Sequence, residues 1–192
     1  VVYERLPFYA YSLLHAKRKD VVSLSHYREK VDRLLFRLVN YLQPAAMLEV
    51  GTGSGLSARY MAEAKHVPLY TLDSGECRGE VIRLLADCPQ VDYRCGDVPH
   101  LLHRYVEEHG CPDIVHIAFT PYYKEVFEAL LPAVSSHTCF FIGSPYATKE
   151  KREWWKQVIS DPRTGVTFDL YDVGLVFFDK KRVKEHRIVN FL

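Results

Sequence analysis

At 192 residues the chain fits one domain, large enough to bury roughly two thirds or more of its unfolded surface in a single core. With 25 basic against 24 acidic residues it carries no global field that would draw in nucleic acid or an anionic membrane, which leaves a small molecule or a protein as the expected partner. No apolar run approaches the roughly 20 residues needed to span a bilayer, and the opening Val1-Val2-Tyr3-Glu4-Arg5 lacks the layout of a signal peptide.

In chain order, Tyr3, Phe8, Tyr9, Tyr11 and His15 form a first aromatic cluster, open to reading as a closing segment, as core packing or as a homodimer surface. Lys17-Arg18-Lys19 reads as a solvated face. From Ser25 to Tyr41 the residues Val31, Leu34, Leu35, Leu38, Val39 and Leu42 recur at three and four, the spacing of an amphipathic helix that Pro44 ends. Strand-like runs follow at Ala46 to Val50, Pro68 to Leu72, Val91 to Arg94, Ile114 to Phe119 and Cys139 to Ile142. Helices are expected over Ser57 to Lys65, Glu76 to Ala86, Pro99 to Glu108, Tyr123 to Leu131 and Lys149 to Ile159. Five strands separated by helices imply a parallel sheet covered on both faces. After Pro162 the pattern changes to strands with short connections, Val166 to Tyr171, Leu175 to Phe178 and Arg187 to Phe191, which fits an antiparallel ending, with Lys180-Lys181-Arg182 as a charged turn. Without repeats or linkers, one domain over 1–192 is expected, residues 1–44 forming an amino-terminal helical segment and 45–192 the core. Cys77, Cys88, Cys95, Cys111 and Cys139 are widely spaced and include no C-x-x-C pair, so five reduced thiols in a cytoplasmic protein is the simplest account.

The most informative stretch is Met47-Leu48-Glu49-Val50-Gly51-Thr52-Gly53-Ser54-Gly55-Leu56-Ser57, an apolar strand running into three glycines at alternate positions. Glycines suit places where the backbone takes unusual dihedrals or must lie against a ligand, and the helix that follows offers free N–H groups. The spacing is G-x-G-x-G, not the dinucleotide pattern G-x-G-x-x-G, and Glu49 stands two residues ahead of the first glycine. Here the sequence resembles the class I methyltransferase family. That resemblance implies a Rossmann-like, doubly wound α/β fold: a mostly parallel seven-stranded sheet with an antiparallel carboxyl-terminal hairpin. It also implies S-adenosylmethionine as cofactor, S-adenosylhomocysteine as product, and a cofactor site drawn from Glu49, Gly51, Thr52, Gly53, Gly55 and Ser57.

Ligands of open parallel sheets bind beyond the carboxyl ends of the strands, so the residues there matter most. Asp73 follows the second strand, 22 residues past Gly51, about where an acid hydrogen-bonds a ribose. Capping of the next helix is its other reading. Gly96-Asp97 ends the third strand, where the resemblance implies an acid accepting from the adenine amino group, and a cap ahead of Pro99 is again the alternative. Ala118, near the end of the fourth strand, completes the expected cofactor site.

The element order looks like that of the small O-methyltransferases. Glu49 to Ser57, Ala147 to Ile159 and Val166 to Phe178 look like a bacterial set of uncharacterised substrate. Metal-dependent members place an aspartate after the fourth strand and an Asp-Asn or Asp-Asp pair after the fifth. This chain has Val115-His116-Ile117-Ala118-Phe119 and Phe141-Ile142-Gly143-Ser144-Pro145, without a carboxylate. A hard divalent cation needs several oxygen ligands, so no metal is expected. Methyl transfer then requires a base and an in-line geometry. The candidate catalytic residues are His116, Tyr122 and Lys124, with Tyr123, Ser144 and Tyr146 on the same rim. An imidazole titrates near neutrality, yet His116 lies mid-strand and also reads as a core residue. At least one of Tyr122 and Tyr123 packs with Val126, Phe127 and Leu130. The function expected is a metal-independent methyltransferase of a small molecule, oxygen being favoured by the resemblance. Its alternative is a methyltransferase-like binding or scaffold protein without catalysis, and a nicotinamide oxidoreductase is disfavoured by the glycine spacing.

Overall fold

The computed structural model describes residues 27–190, so the aromatic cluster from Tyr3 to His15 and the Lys17-Arg18-Lys19 run lie outside the described residues. The described chain begins with helix α1 (Glu29–Leu42), whose Val31, Leu34, Leu35, Leu38 and Val39 are buried, and Gln43 closes it in the left-handed conformation just ahead of Pro44. Strand β1 (Met47–Val50) leads into α2 (Leu56–Ala64), β2 (Leu69–Ser74), α3 (Gly79–Leu85), β3 (Val91–Gly96), α4 (Val98–His109) and β4 (Ile114–Ile117). Then come α5 (Tyr123–Leu130) with a short 3-10 turn, β5 (Cys139–Gly143), α6 (Lys149–Ser160), β6 (Thr167–Asp169), β7 (Val173–Phe177) and β8 (His186–Ile188).

The strands form one sheet in the order β3-β2-β1-β4-β5-β7-β6-β8. Pairing is parallel from β3 through β5 and antiparallel where β7 meets β5 and β6. The chain reverses lateral direction after β3, so the carboxyl ends of β1 and β4 lie side by side and flank the switch point where such sheets bind ligands. Alternation along the strands sends side chains to two apolar layers. Met47, Leu69, Ile114, Phe141 and Leu175 meet α1, α2 and α3, while Leu48, Val50, Val115, Ile117, Phe140 and Val176 meet α4, α5 and α6.

Two expectations need correction. The sheet has eight strands, not seven, because β8 pairs parallel with β6 at the far edge, Thr167 opposite His186. The thiols are not all reduced: Cys77 and Cys95 form a disulfide, leaving Cys88, Cys111 and Cys139 free. The bridge joins Cys77, in the loop after β2, to Cys95 on the neighbouring β3, two cysteines 18 residues apart that no spacing motif signals. The same tie explains why α3 begins at Gly79, not Glu76, since residues 75–78 are drawn toward β3.

Candidate functional site

The three glycines at the end of β1 all take positive φ, 95° at Gly51, 56° at Gly53 and 77° at Gly55, a region that side-chain-bearing residues visit at a cost. Gly51 and Gly55 also solve a packing problem. A Cβ on Gly51 would lie 3.1 Å from the Phe119 carbonyl group, and one on Gly55 would lie 2.9 Å from Val81 Cγ1. The loop thus nestles against the residues after β4 on one side and α3 on the other. Gly55 caps α2 without a side-chain hydrogen bond, so only the long contact from Leu56 N–H to Ser54 Oγ engages that first turn. A narrow cleft lies over it, lined by Tyr27, Asp32, Gly51, Thr52, Ser57 and Ala118 among others.

Beneath the loop lies a buried polar network. The Glu49 carboxylate accepts from Ser57 Oγ, from Thr71 Oγ1 at 2.6 Å and from the His116 ring, whose Nδ1 is 2.9 Å away. Thr52 and Thr71 hydroxyls share a hydrogen bond of 2.7 Å. On its other side His116 Nε2 stands 3.0 Å from the Tyr27 hydroxyl. Burial, reinforced by the Glu49, Asp32 and Asp172 carboxyls, holds the Tyr27 phenol well above its ordinary pKa. It therefore keeps its proton and donates to Nε2, and Nδ1–H donates to Glu49. Glu49, Ser57 and Thr52 act here from under the loop, and His116, wholly buried, engages both nitrogens inside the protein.

Asp73 sits at the carboxyl end of β2, facing the loop. Its Oδ2 accepts from Gly53 N–H at 3.2 Å and from the Arg78 guanidinium at 2.9 Å, and Oδ1 accepts from Ser74 N–H at 3.0 Å. Arg78 also donates to the Gly53 carbonyl. Asp73 is not a helix cap, since the residue preceding α3 is Arg78. Asp97 is one: its Oδ1 accepts from His100 N–H at 2.8 Å at the start of α4.

At the ends of β4 and β5 the structure holds a residue that sequence reasoning passed over. Lys151, in the first turn of α6, is only 4% exposed. Its ammonium donates to the Gly143 carbonyl at 2.6 Å, lies 3.5 Å from the Ala118 carbonyl and sits 5.2 Å over the Tyr123 ring. Burial pulls its pKa down to about 8. Lysine in a helical segment gives no signal of burial, so only the three-dimensional fold reveals it. Gly143 is needed where it stands, because a Cβ there would fall 1.8 Å from the Tyr27 hydroxyl.

The other predicted rim residues are spread out. Tyr122 precedes α5, its N–H donating to Thr120 Oγ1, and packs against the α4–α6 layer. Tyr123 is buried edge-on against Trp154. Lys124 is exposed and paired with Glu150, which raises its pKa. Ser144 and Tyr171 both hold positive φ, and Tyr171 lies beside Tyr146, ring centroids 6.2 Å apart. With Phe119, 53% exposed, these two tyrosines put exposed aromatic surface at the carboxyl ends of the sheet. Among the described residues, no group of three or more His, Cys, Asp or Glu side chains is placed to share a metal ion. Nor is any described helix long and apolar enough to cross a membrane.

Neither a protein-family model nor a curated protein sequence matches the chain. Solved structures do match in fold. A methyltransferase from Geobacter sulfurreducens superposes with a TM-score of 0.69 at 14% identity, covering 93% of both chains. The O-methyltransferase from Bacillus cereus, solved in complex with S-adenosylhomocysteine, gives 0.68 at 15% identity over 92% of this chain and 93% of that one. TomG from Streptomyces achromogenes, an O-methyltransferase involved in tomaymycin synthesis and solved with S-adenosylmethionine, gives 0.67 at 16% identity over 92% of each. The fold is that of the class I methyltransferases.

Proposed function

We propose that this chain is an S-adenosylmethionine-dependent methyltransferase acting on a small molecule, without a metal, and with oxygen as the favoured nucleophile. The observation that carries this reading is the three-glycine turn at the end of β1 facing the Asp73 carboxylate at the end of β2, on a sheet whose switch point lies beside them. When bound, the cofactor supplies an electrophilic sulfonium methyl. In this reading Asp73 receives the ribose hydroxyls, and the Asp97 oxygen not used in capping α4 accepts from the adenine amine. Gly51, Gly53 and the Ala118 backbone let the ligand lie close, and the open first turn of α2 meets the cofactor's carboxylate. The acceptor would rest against Phe119, Tyr146 and Tyr171. A proton leaving it would reach His116 only through Tyr27, which is the way the buried Glu49–His116–Tyr27 chain runs outward.

The metal-free reading rests on the residues at the strand ends. Ala118 and Gly143 bring no side-chain oxygen, and the Lys151 ammonium on their carbonyls would repel a dication. The scaffold alternative has one observation in its favour, the internal engagement of both His116 nitrogens. The chain would act as one cytoplasmic domain, and a reducing cytoplasm would hold Cys77 and Cys95 as thiols.

The deciding measurement is thermal unfolding with ligand. S-adenosylhomocysteine at about 100 times its Kd stabilises by about 2.7 kcal/mol, a shift of several degrees, while NAD leaves Tm unchanged. No shift and no calorimetric heat at millimolar ligand would sink the proposal. Methyl transfer, assayed as S-adenosylhomocysteine release, persists in EDTA. Binding without any turnover would favour the scaffold.

A further inference from the structure

We infer that Arg78 occupies the ribose subsite in competition with the cofactor and is held there by the Cys77–Cys95 disulfide, so that S-adenosyl ligands bind more tightly once that disulfide is reduced. The inference rests on the proposed cofactor reading of Asp73.

A carboxylate offers about four acceptor positions. At Asp73 both positions of Oδ2 are filled, by Gly53 N–H at 3.2 Å and Arg78 Nη2 at 2.9 Å, and Oδ1 has one filled by Ser74 N–H. A ribose diol that engages both oxygens must therefore displace a donor from Oδ2. The Gly53 amide belongs to the loop itself, which leaves Arg78 as the one to go. Arg78 also covers the Gly53 carbonyl and pairs its charge with Asp73, weakening the carboxylate as an acceptor for neutral hydroxyls.

The disulfide is placed to keep it there. Cys95 is the register partner of Asp73 across the β2–β3 ladder, and Cys77 immediately precedes Arg78. The bridge folds residues 75–77 back over the strand pair and fixes the Arg78 backbone beside the carboxylate. Cys77 is exposed, so the bond is open to thiol exchange, and Gly75, at φ 76° with nothing within 4 Å of a Cβ position, can hinge the released loop. A dithiol reductant supplies two electrons and two protons. The Sγ–Sγ bond breaks, both cysteines become thiols, and the reductant closes its own disulfide.

The test is calorimetric titration of S-adenosylhomocysteine into four forms of the full chain: oxidised, dithiothreitol-reduced, Cys77→Ser and oxidised Arg78→Gln. Alkylation and mass spectrometry verify the thiol state, and melting curves verify the fold. Reduction should tighten Kd on the order of tenfold, the scale of one charge-assisted hydrogen bond. Cys77→Ser should match the reduced form with or without dithiothreitol, and Arg78→Gln should bind tightly and ignore the reductant. Equal affinity in all four forms overturns the inference alone, as does weaker binding by Arg78→Gln, which would make Arg78 a support of the subsite. A Cys77–Cys95 bond that fails to form in air-oxidised protein overturns it too. Absence of binding in every form overturns the cofactor reading and takes this inference with it.

Discussion

A carboxylate shut away from water must find its donors inside the fold, and Glu49 finds three, from Ser57, Thr71 and His116. Glu49→Ala strands all three, so a loss of about 3 to 5 kcal/mol in chemical denaturation is expected, with little dependence on added salt. Lys151 makes the opposite case, a buried cation held by two carbonyls and an aromatic face, with no carboxylate among the hydrogen-bond partners of its ammonium. Its pKa is about 8 in the folded protein against about 10.4 in an unfolded chain. Below pH 8 both states are charged and the folded protein carries the full burial cost. Between about 8 and 10.4 the unfolded chain binds more protons, so stability rises with pH. Lys151→Met should therefore be more stable than wild type at pH 7, by as much as about 3 kcal/mol, and should lose that advantage by pH 10.5. Parallel stability curves for the two proteins across that range would contradict it. The acid-glycine motif was legible because it is local in sequence. The partners of Glu49 were not, since Thr71 and His116 meet it only through the registers of β1 with β2 and β4.

Helix α6 is fastened to the sheet by Lys151 in its first turn, on the Gly143 carbonyl, and by Trp155 further along. A Cβ on Gly174 would lie 2.6 Å from Trp155 Cη2, and Trp155 Nε1 donates to Asp169 Oδ2 at 3.0 Å. Gly174→Ala pushes the wholly buried indole off its seat, and a loss of about 1 to 3 kcal/mol with a matching fall in Tm is expected. An unchanged Tm would mean that α6 can slide freely. Element positions were largely readable, because periods of two and of three to four separate strands from helices regardless of the fold. Where boundaries moved, a hydrogen bond that no periodicity encodes moved them. β2 and β3 extend to Ser74 and Gly96 because those residues pair with each other. β4 stops at Ile117 because Ala118 accepts from Thr120 N–H in a turn. The antiparallel pairing of β6 with β7 was legible too, but β8 starts one residue earlier and ends three residues earlier than expected, and it pairs parallel with β6, 19 residues back.

At the scale of the molecule, the two apolar layers meet on β1, β4 and β5, whose residues are buried on both faces. Backbone amides of these three strands should exchange with deuterium most slowly, at the rate of global unfolding, while β8, exposed at all three positions, exchanges orders of magnitude faster. Uniform protection across the sheet would argue against this division. What sequence could not supply at this scale was the chemistry at the strand ends. Tyr27, Arg78 and Lys151 belong to separate segments: Tyr27 and Lys151 meet at Gly143 at the end of β5, and Arg78 meets Gly53 and Asp73 at the ends of β1 and β2.

The strand order also governs how the protein is made. During synthesis β1, β2 and β3 emerge first and can pair with one another, but the other side of β1 waits for β4, 64 residues further on from its last residue to the first of β4. Until then Glu49 lacks His116, and the glycine turn lacks the Phe119 backbone that supports it. The nascent half-sheet therefore exposes a bare apolar strand at what will become its centre, an open edge of the kind that chaperones shield and that aggregation exploits. The glycine turn and the network beneath it are completed with the closing of that seam, late and all at once.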